Sequence, residues 1–316
     1  MLLTMTMSAL AQVTTSSMTG KVTLEGTSDE IIGATVQVVH EPSGTRYTAV
    51  TNMNGLFTIQ GMRPGGPYNV TVSYIGHQTK TFRGITLQLA ETYNLPVWLS
   101  ENVNDLAEIV VTGTASKFSQ EKTGAATNIN SAQITALPTV NRAITDVTRL
   151  SPYGGNGMSF AGTDGRTANF TVDGANFNNN FGLSSNLPGG GNPISIDAIE
   201  ELQVVISPFD VRQTNFIGGG VNAITKSGTN TFKGSAYIYH QNENLRGDAV
   251  EREQISGARE KDSQTTYGFT LGGPIIKNKL FFFVNGEMVK TPTVVNRWRG
   301  SEDGVADADA YISRTT

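Results

Sequence analysis

The sequence predicts a mainly β protein in three successive parts: a β-sandwich, a small α+β domain, and the first strands of an incomplete membrane barrel. Three observations predict it. Short alternating runs recur between Gly, Pro and Asn turns through residues 18–100. Two short helical patterns are mixed with strands through residues 123–228. Longer alternating segments with one apolar side follow through residues 229–316. Of the 316 residues, 35 are Gly and 16% are charged, which suits an ordered, turn-rich chain better than a disordered or coiled-coil one.

Charge and cysteine content remove several function classes. The net charge is -4 and no basic stripe is visible. Nucleic acid and anionic lipid both select basic surfaces, so neither is expected as the main partner. The absence of cysteine removes disulfides and thiolate metal sites, and leaves the redox compartment open.

The first residues, MLLTMTMSALAQ, place Ala9-Leu10-Ala11 before Gln12. That is the small-x-small pattern of a signal-peptidase site. Residues 1–11 therefore read as a partial signal peptide. A positive start and a longer apolar stretch are missing from it, as if Met1 were an internal start. No apolar run reaches the roughly 18 residues of a membrane-spanning helix, so any crossing must be made by strands.

Within residues 18–100 alternation shows in GATVQVVHE, where Ala34, Val36 and Val38 share one face and Thr35 and Gln37 the other. Further strands are expected at 46–51, 56–60, 68–74, 79–83 and 93–99. The turn formers between them are Pro42-Ser43-Gly44, Asn52-Met53-Asn54-Gly55 and Pro64-Gly65-Gly66-Pro67. About seven short strands at this spacing suggest a sandwich. His40 and His77 lack the partner ligands of a zinc site and read as structural or exposed.

Residues 101–122 form a polar linker around one apolar triplet, Ile109-Val110-Val111. Its β-branched side chains favour an extended backbone. Two readings fit: a last strand of the sandwich, or a strand offered to the sheet edge of another protein. In the second, Glu108, Ile109, Val110, Val111 and Thr112 make the contact.

In the α+β part, NSAQITALP offers Asn130 or Ser131 as helix cap and Pro138 as stop. NRAITDVTRLSP places Ala143, Ile144, Val147 and Leu150 on one helical face. NFTVDGANF signals a hairpin at Asp173-Gly174. SIDAIEELQVVIS suggests a one-turn helix capped by Ser195 or Asp197, then a strand with Leu202, Val204 and Ile206 on one face. Gly218-Gly219-Gly220 precedes a strand at 221–225. The Gly run formally matches G-x-G-x-x-A, but no strand immediately before it and no helix after it support a dinucleotide site. Asp173, Asp197, Glu200 and Glu201 read as caps and solvated surface. With only three His and no evident partners for them, neither a catalytic set nor a metal site is expected, and no cofactor is implied.

Beyond residue 229, TFKGSAYIYHQ has about the length of a tilted membrane strand. TTYGFTLGG alternates Tyr267, Phe269 and Leu271 against Thr266, Gly268 and Thr270. KLFFFVNGEMV sets Leu280, Phe282, Val284 and Met288 against Asn285 and Glu287. A short turn at 273–278 and a long charged loop at 242–264 match the unequal connections of outer-membrane barrels. A soluble sandwich would also alternate.

The motifs also resemble a known family. GKVTLEG, GATVQV and TNMNGLFTIQGMRPGGPYNVTVSYIGHQT resemble the carboxypeptidase-regulatory-like domain, a transthyretin-like or Ig-like, carbohydrate-binding-like sandwich. AEIVVTG is similar to a Ton box. LPTVNRAITDVTRLSPYG, FTVDGANFNNNFG, ISIDAIEELQVV and GGGVNAITKSGTN resemble, in order, the plug of TonB-dependent outer-membrane receptors of Bacteroidetes type, in the Oar-like group. The resemblance implies an outer-membrane transporter whose sandwich and Ton box lie in the periplasm. It implies TonB as partner, lipid around the barrel, and a large substrate such as an oligosaccharide, a peptide or protein, or a siderophore. Asn176, Asn178, Asn179, Asn180 and Asn186, in Asn- and Gly-rich plug loops, are then substrate-contact candidates, because amides both donate and accept hydrogen bonds. Such receptors close about 22 strands, so the chain is expected to be the N-terminal part of a longer protein or a truncated reading frame. The alternative is a soluble or surface-anchored glycan-binding sandwich protein without transport.

Overall fold

The computed structural model describes residues 14–101, 109–112, 125–139, 142–178, 187, 192–207, 213, 217–245, 247, 249–250, 253–254, 263–291, 294–298 and 311–315. The predicted signal peptide lies outside these residues. The chain divides into two compact units, Met1–Phe232 with Gly272–Phe283, and Lys233–Leu271 with Val284–Thr316.

The first unit opens with β1 (Ser16–Leu24), β2 (Thr35–His40), β3 (Thr45–Val50), β4 (Leu56–Met62), β5 (Gly65–Ser73), β6 (Lys80–Leu87), β7 (Thr92–Asn94) and β8 (Val97–Leu99). One sheet has the order β4-β1-β7, with β8 also paired to β1. The other runs β3-β2-β5-β6 and ends on β9 (Ile109–Thr112). Alternation puts Ala34, Val36 and Val38 in the core with Met18, Val22, Phe57, Tyr68, Val70, Val72 and Leu99. Each large apolar side chain buried there contributes roughly 1.5–3 kcal/mol relative to exposure.

Three local expectations for the sandwich are corrected. The single strand expected at 93–99 is two strands, because Pro96 between them has no N–H for a ladder. Gly65, Gly66 and Pro67 are the start of β5 and not a turn. A Cβ on Gly66 would lie 2.7 Å from the Ile85 carbonyl, so the glycine permits close pairing with β6. The strand expected at 79–83 continues to Leu87 past a register shift, where Gly84 has φ 78°.

The α+β domain contains β10 (Ala125–Asn130), α1 (Ser131–Ala136), α2 (Ile144–Thr148), β11 (Asn169–Val172), β12 (Ala175–Asn176), β13 (Ile199–Ser207) and β14 (Gly220–Thr225), in the sheet order β10-β13-β14-β11-β12. Asn130 caps α1 reciprocally: its Oδ1 accepts from Gln133 N (2.9 Å) and its N–H donates to Gln133 Oε1 (3.0 Å). Helix α2 is shorter than its apolar pattern suggests. It stops at Thr148, turns close over 150–154, and Leu150 lies exposed beyond it. Pro152 lacks the N–H that a longer helix would use. Asp173-Gly174 forms the expected hairpin turn, with φ 49° and 82°. One sheet face packs Ile129, Phe170, Leu202, Val204, Val221 and Ala223 against Ile134, Ile144 and Val147 of the helices.

The remaining strands are β15 (Lys233–Asn242), β16 (Ala249–Val250), β17 (Glu253–Gln254), β18 (Ser263–Ile276), β19 (Leu280–Lys290), β20 (Val294–Trp298) and β21 (Tyr311–Thr315). A three-stranded sheet has the order β15-β18-β19. The expected turn at 273–278 is a tighter one at 277–279, and residues 273–276 extend β18. The segment expected as one long loop holds the small β16–β17 hairpin. Within the second unit, Ile238, Tyr267, Phe269, Leu271, Val284 and Met288 are all at least 41% exposed. The opposite side is polar: Ser235 Oγ lies 2.7 Å from Thr270 Oγ1, and Tyr237 donates to Glu287 at 2.7 Å. A largely apolar side left uncovered among the described residues is what a lipid-facing sheet presents.

Candidate functional site

The triplet Ile109-Val110-Val111 lies in a strand, as its β-branched residues favour. β9 pairs in parallel with β6, in the register Lys80 with Ile109, Thr81 with Val110, Phe82 with Val111 and Arg83 with Thr112. Of the two sequence readings, the structure displays the pairing with the sandwich. Glu108 lies outside the described residues.

A second feature joins the sandwich to the α+β domain. The corner between β6 and β7, Gln88 to Glu91, turns with Ala90 at φ 58° and is braced by Ser16 Oγ donating to Gln88 O at 2.5 Å. Leu89 at its tip is fully buried. Its N–H donates to Glu201 Oε1 (2.9 Å), and its carbonyl accepts from Gln203 Nε2 (2.8 Å) and Asn128 Nδ2 (3.0 Å). Asn128 Nδ2 also donates to Glu201 Oε1 at 3.1 Å. One backbone unit of the sandwich is thus held by three side chains of the other domain.

The grip continues across the sheet. Asn128, Gln203, Asn222 and Thr171 are register partners on β10, β13, β14 and β11. Gln203 Nε2 donates to Asn128 Oδ1 (3.1 Å), Asn222 Nδ2 to Gln203 Oε1 (3.4 Å), and Thr171 Oγ1 to Asn222 Oδ1 (2.8 Å). The row occupies the face opposite the helices, because strand side chains alternate. Thr171, Gln203 and Asn222 are buried, so each bond spares a polar group an unsatisfied state costing roughly 1–3 kcal/mol.

Glu201 corrects an expectation, since it is buried and not solvated surface. Burial pushes its carboxyl up to about 7, against the pull of the Leu89 N–H and the Asn128 amide, and the nearby Glu200 and Glu91 add to the rise. Asp173 caps no helix among the described residues; it ties the hairpin turn to the end of β14, accepting from Thr225 N (2.9 Å) and Thr225 Oγ1 (2.7 Å). Asp197 pairs with Arg142. The polar row was not recognised in the sequence. Its only local signal is polar residues at alternate positions of apolar strands, Glu201 and Gln203 in EELQVV and Asn222 in GVNAIT.

Among the expected substrate contacts, Asn179, Asn180 and Asn186 lie outside the described residues. Asn176 Oδ1 accepts from Asn178 N at 2.8 Å. The Asn178 side chain braces the hairpin, accepting from Phe170 N and donating to Asn169 Oδ1, both at 2.6 Å. The Gly run also has a packing reason: a Cβ on Gly219 would lie 2.7 Å from the ring of buried Phe160. His40 is buried against Tyr68, ring centroids 4.8 Å apart, with Nδ1 2.7 Å from Ser43 Oγ.

Residues 17–100 match the family model described as a carboxypeptidase regulatory-like domain, and residues 224–297 match an outer membrane beta barrel domain. The TonB-dependent transporter Oar of Myxococcus xanthus is 28% identical over 257 residues, which are 75% of this chain and 23% of that protein. The chain thus spans about a quarter of the length of this curated relative. The siderophore receptor PirA of Acinetobacter baumannii aligns at 23% identity and TM-score 0.40, over 53% of this chain and 24% of the receptor. Its Pseudomonas aeruginosa counterpart aligns at 21% and 0.40, over 54% and 28%. The matched models thus give the chain a carboxypeptidase regulatory-like domain ahead of outer-membrane barrel strands, and the chain is similar to a TonB-dependent transporter.

Proposed function

We propose that the chain is the N-terminal part of a transporter that imports a large substrate across the outer membrane with energy from TonB, and that it has no catalytic role. The carrying observation is the position of β9. A short backbone-paired strand lies between a sandwich and an α+β domain, upstream of strands with an uncovered apolar side. In this reading residues 123–228 plug the barrel, and a TonB strand pairs with Glu108 to Thr112 and pulls. Strand addition is made by backbone groups, which accounts for a β-branched segment without special side-chain chemistry.

The β18–β19 turn supports a periplasmic sandwich. Asn230 and Asn278 bond reciprocally: Asn230 Nδ2 donates to Asn278 Oδ1, and Asn278 N to Asn230 Oδ1, both at 2.8 Å. Asn230 N also donates to Pro42 O, in the β2–β3 turn of the sandwich, at 2.8 Å. Short barrel turns face the periplasm. On the outer side, Asn176, Asn179, Asn180 and Asn186 are the proposed contacts for an oligosaccharide, peptide or siderophore. Asn178 is set aside, its amide being committed to the hairpin.

The test is Val111→Pro in the full-length protein, which removes one N–H from the contact strand. Uptake of whichever labelled oligosaccharide, peptide or ferric siderophore binds the cell surface should stop, while surface binding and barrel assembly remain. Uptake at the unaltered rate would exclude the proposal.

A further inference from the structure

β9 is the last strand of its sheet. The order β3-β2-β5-β6-β9 leaves one side of Ile109–Thr112 hydrogen-bonded to β6 and the other side unpaired among the described residues. Along a strand, backbone N–H and C=O groups point to both sides, so pairing with β6 leaves a second set of groups available. A free linker would have to lose its conformational freedom when a partner strand arrives, at a cost in affinity. Here β6 has already imposed the extended conformation, over four register pairs.

We infer that the sandwich is a presenting platform: it holds Ile109–Thr112 as a ready-made strand, and the partner's strand adds to the far edge of β9, continuing the five-stranded sheet. This rests on the proposal that these residues are the TonB contact. The occupant is a periplasmic protein with an unpaired strand edge, recognised through backbone bonds. The sandwich and the partner then use opposite edges of one strand and do not compete.

The experiment uses the full-length protein in detergent with Arg83→Cys and Thr112→Cys, which are register partners, in a chain segment that has no native cysteine. The disulfide should form under mild oxidation, and the alternate amides of 109–112 that face β6 should be protected from exchange. The purified periplasmic domain of TonB is then titrated onto the oxidised and reduced forms. The platform predicts that the oxidised form binds as tightly as the reduced form, or up to about tenfold tighter, because the strand is already ordered. A loss of more than about tenfold on oxidation, recovered on reduction, would mean that β6 and TonB compete for one edge, and would overturn the inference. Failure of the disulfide together with unprotected amides would overturn it as well. Val111→Pro separates the underlying proposal: if that variant binds the TonB domain like the unaltered protein, the TonB contact itself is wrongly placed.

Discussion

Replacing Glu201 by Gln separates its burial from its charge. Glu201 is 4% exposed, and its Oε1 accepts from Leu89 N and Asn128 Nδ2. Burial raises its carboxyl from an ordinary 4.5 to about 7. A carboxyl raised on folding keeps a proton that the unfolded chain gives up. Its contribution is therefore fully present below about 4.5 and declines as pH rises through about 7. That interval corresponds to about 3 kcal/mol. Gln retains an oxygen for both donors and does not ionise. The assay is hydrogen exchange at the Leu89 amide in the full-length protein, corrected for intrinsic exchange. Between about pH 5 and about pH 8, protection should fall roughly a hundredfold in the unaltered protein and stay level in Glu201→Gln. Protection that is independent of pH in the unaltered protein would mean that Glu201 does not hold its proton more tightly in the folded chain than in the unfolded one.

Two further perturbations probe the sandwich and the α+β core. Burial, with the Arg63 charge nearby, lowers His40 to about 4. A histidine lowered on folding stabilises fully above about 6.5 and loses that contribution as pH falls toward 4, so β2 and β5 amides should lose protection by about 3 kcal/mol on acidification. His40→Phe keeps an aromatic ring beside Tyr68 and should remove that acid dependence; an unchanged dependence would assign it to another group. Gly219→Ala sets a Cβ against the Phe160 ring and should destabilise the α+β domain by about 1–3 kcal/mol, read as faster exchange in β14. Unchanged exchange would mean that the ring yields freely.

What was legible in the sequence was local. The Ala34, Val36 and Val38 alternation, the Asn130 cap, the Asp173-Gly174 turn and the apolar side of 267–271 each rest on residues a few positions apart. Turn chemistry was less decisive: Pro64-Gly65-Gly66-Pro67 suggests a turn, yet close pairing with β6 makes most of it strand. Two non-local features were not legible. Leu89 meets Glu201 across 112 residues of chain, and nothing near either residue signals the other. The parallel pairing of β9 with β6 is likewise non-local, and an apolar triplet in a polar linker fits a sandwich strand and a partner strand equally. Position in the chain favoured the partner. The structure adds that one edge of the strand pairs with the sandwich, while the other has no partner strand among the described residues.

In the proposed function, force delivered at Ile109–Thr112 drives import. Its most direct measurement is uptake of a surface-bound labelled ligand by cells carrying the full-length protein or its Val111→Pro variant, with the proton gradient intact or collapsed. The account predicts that the unaltered protein imports only with the gradient intact, and that the variant binds ligand but behaves as though the gradient were absent. Gradient-dependent import by Val111→Pro at the unaltered rate would contradict it.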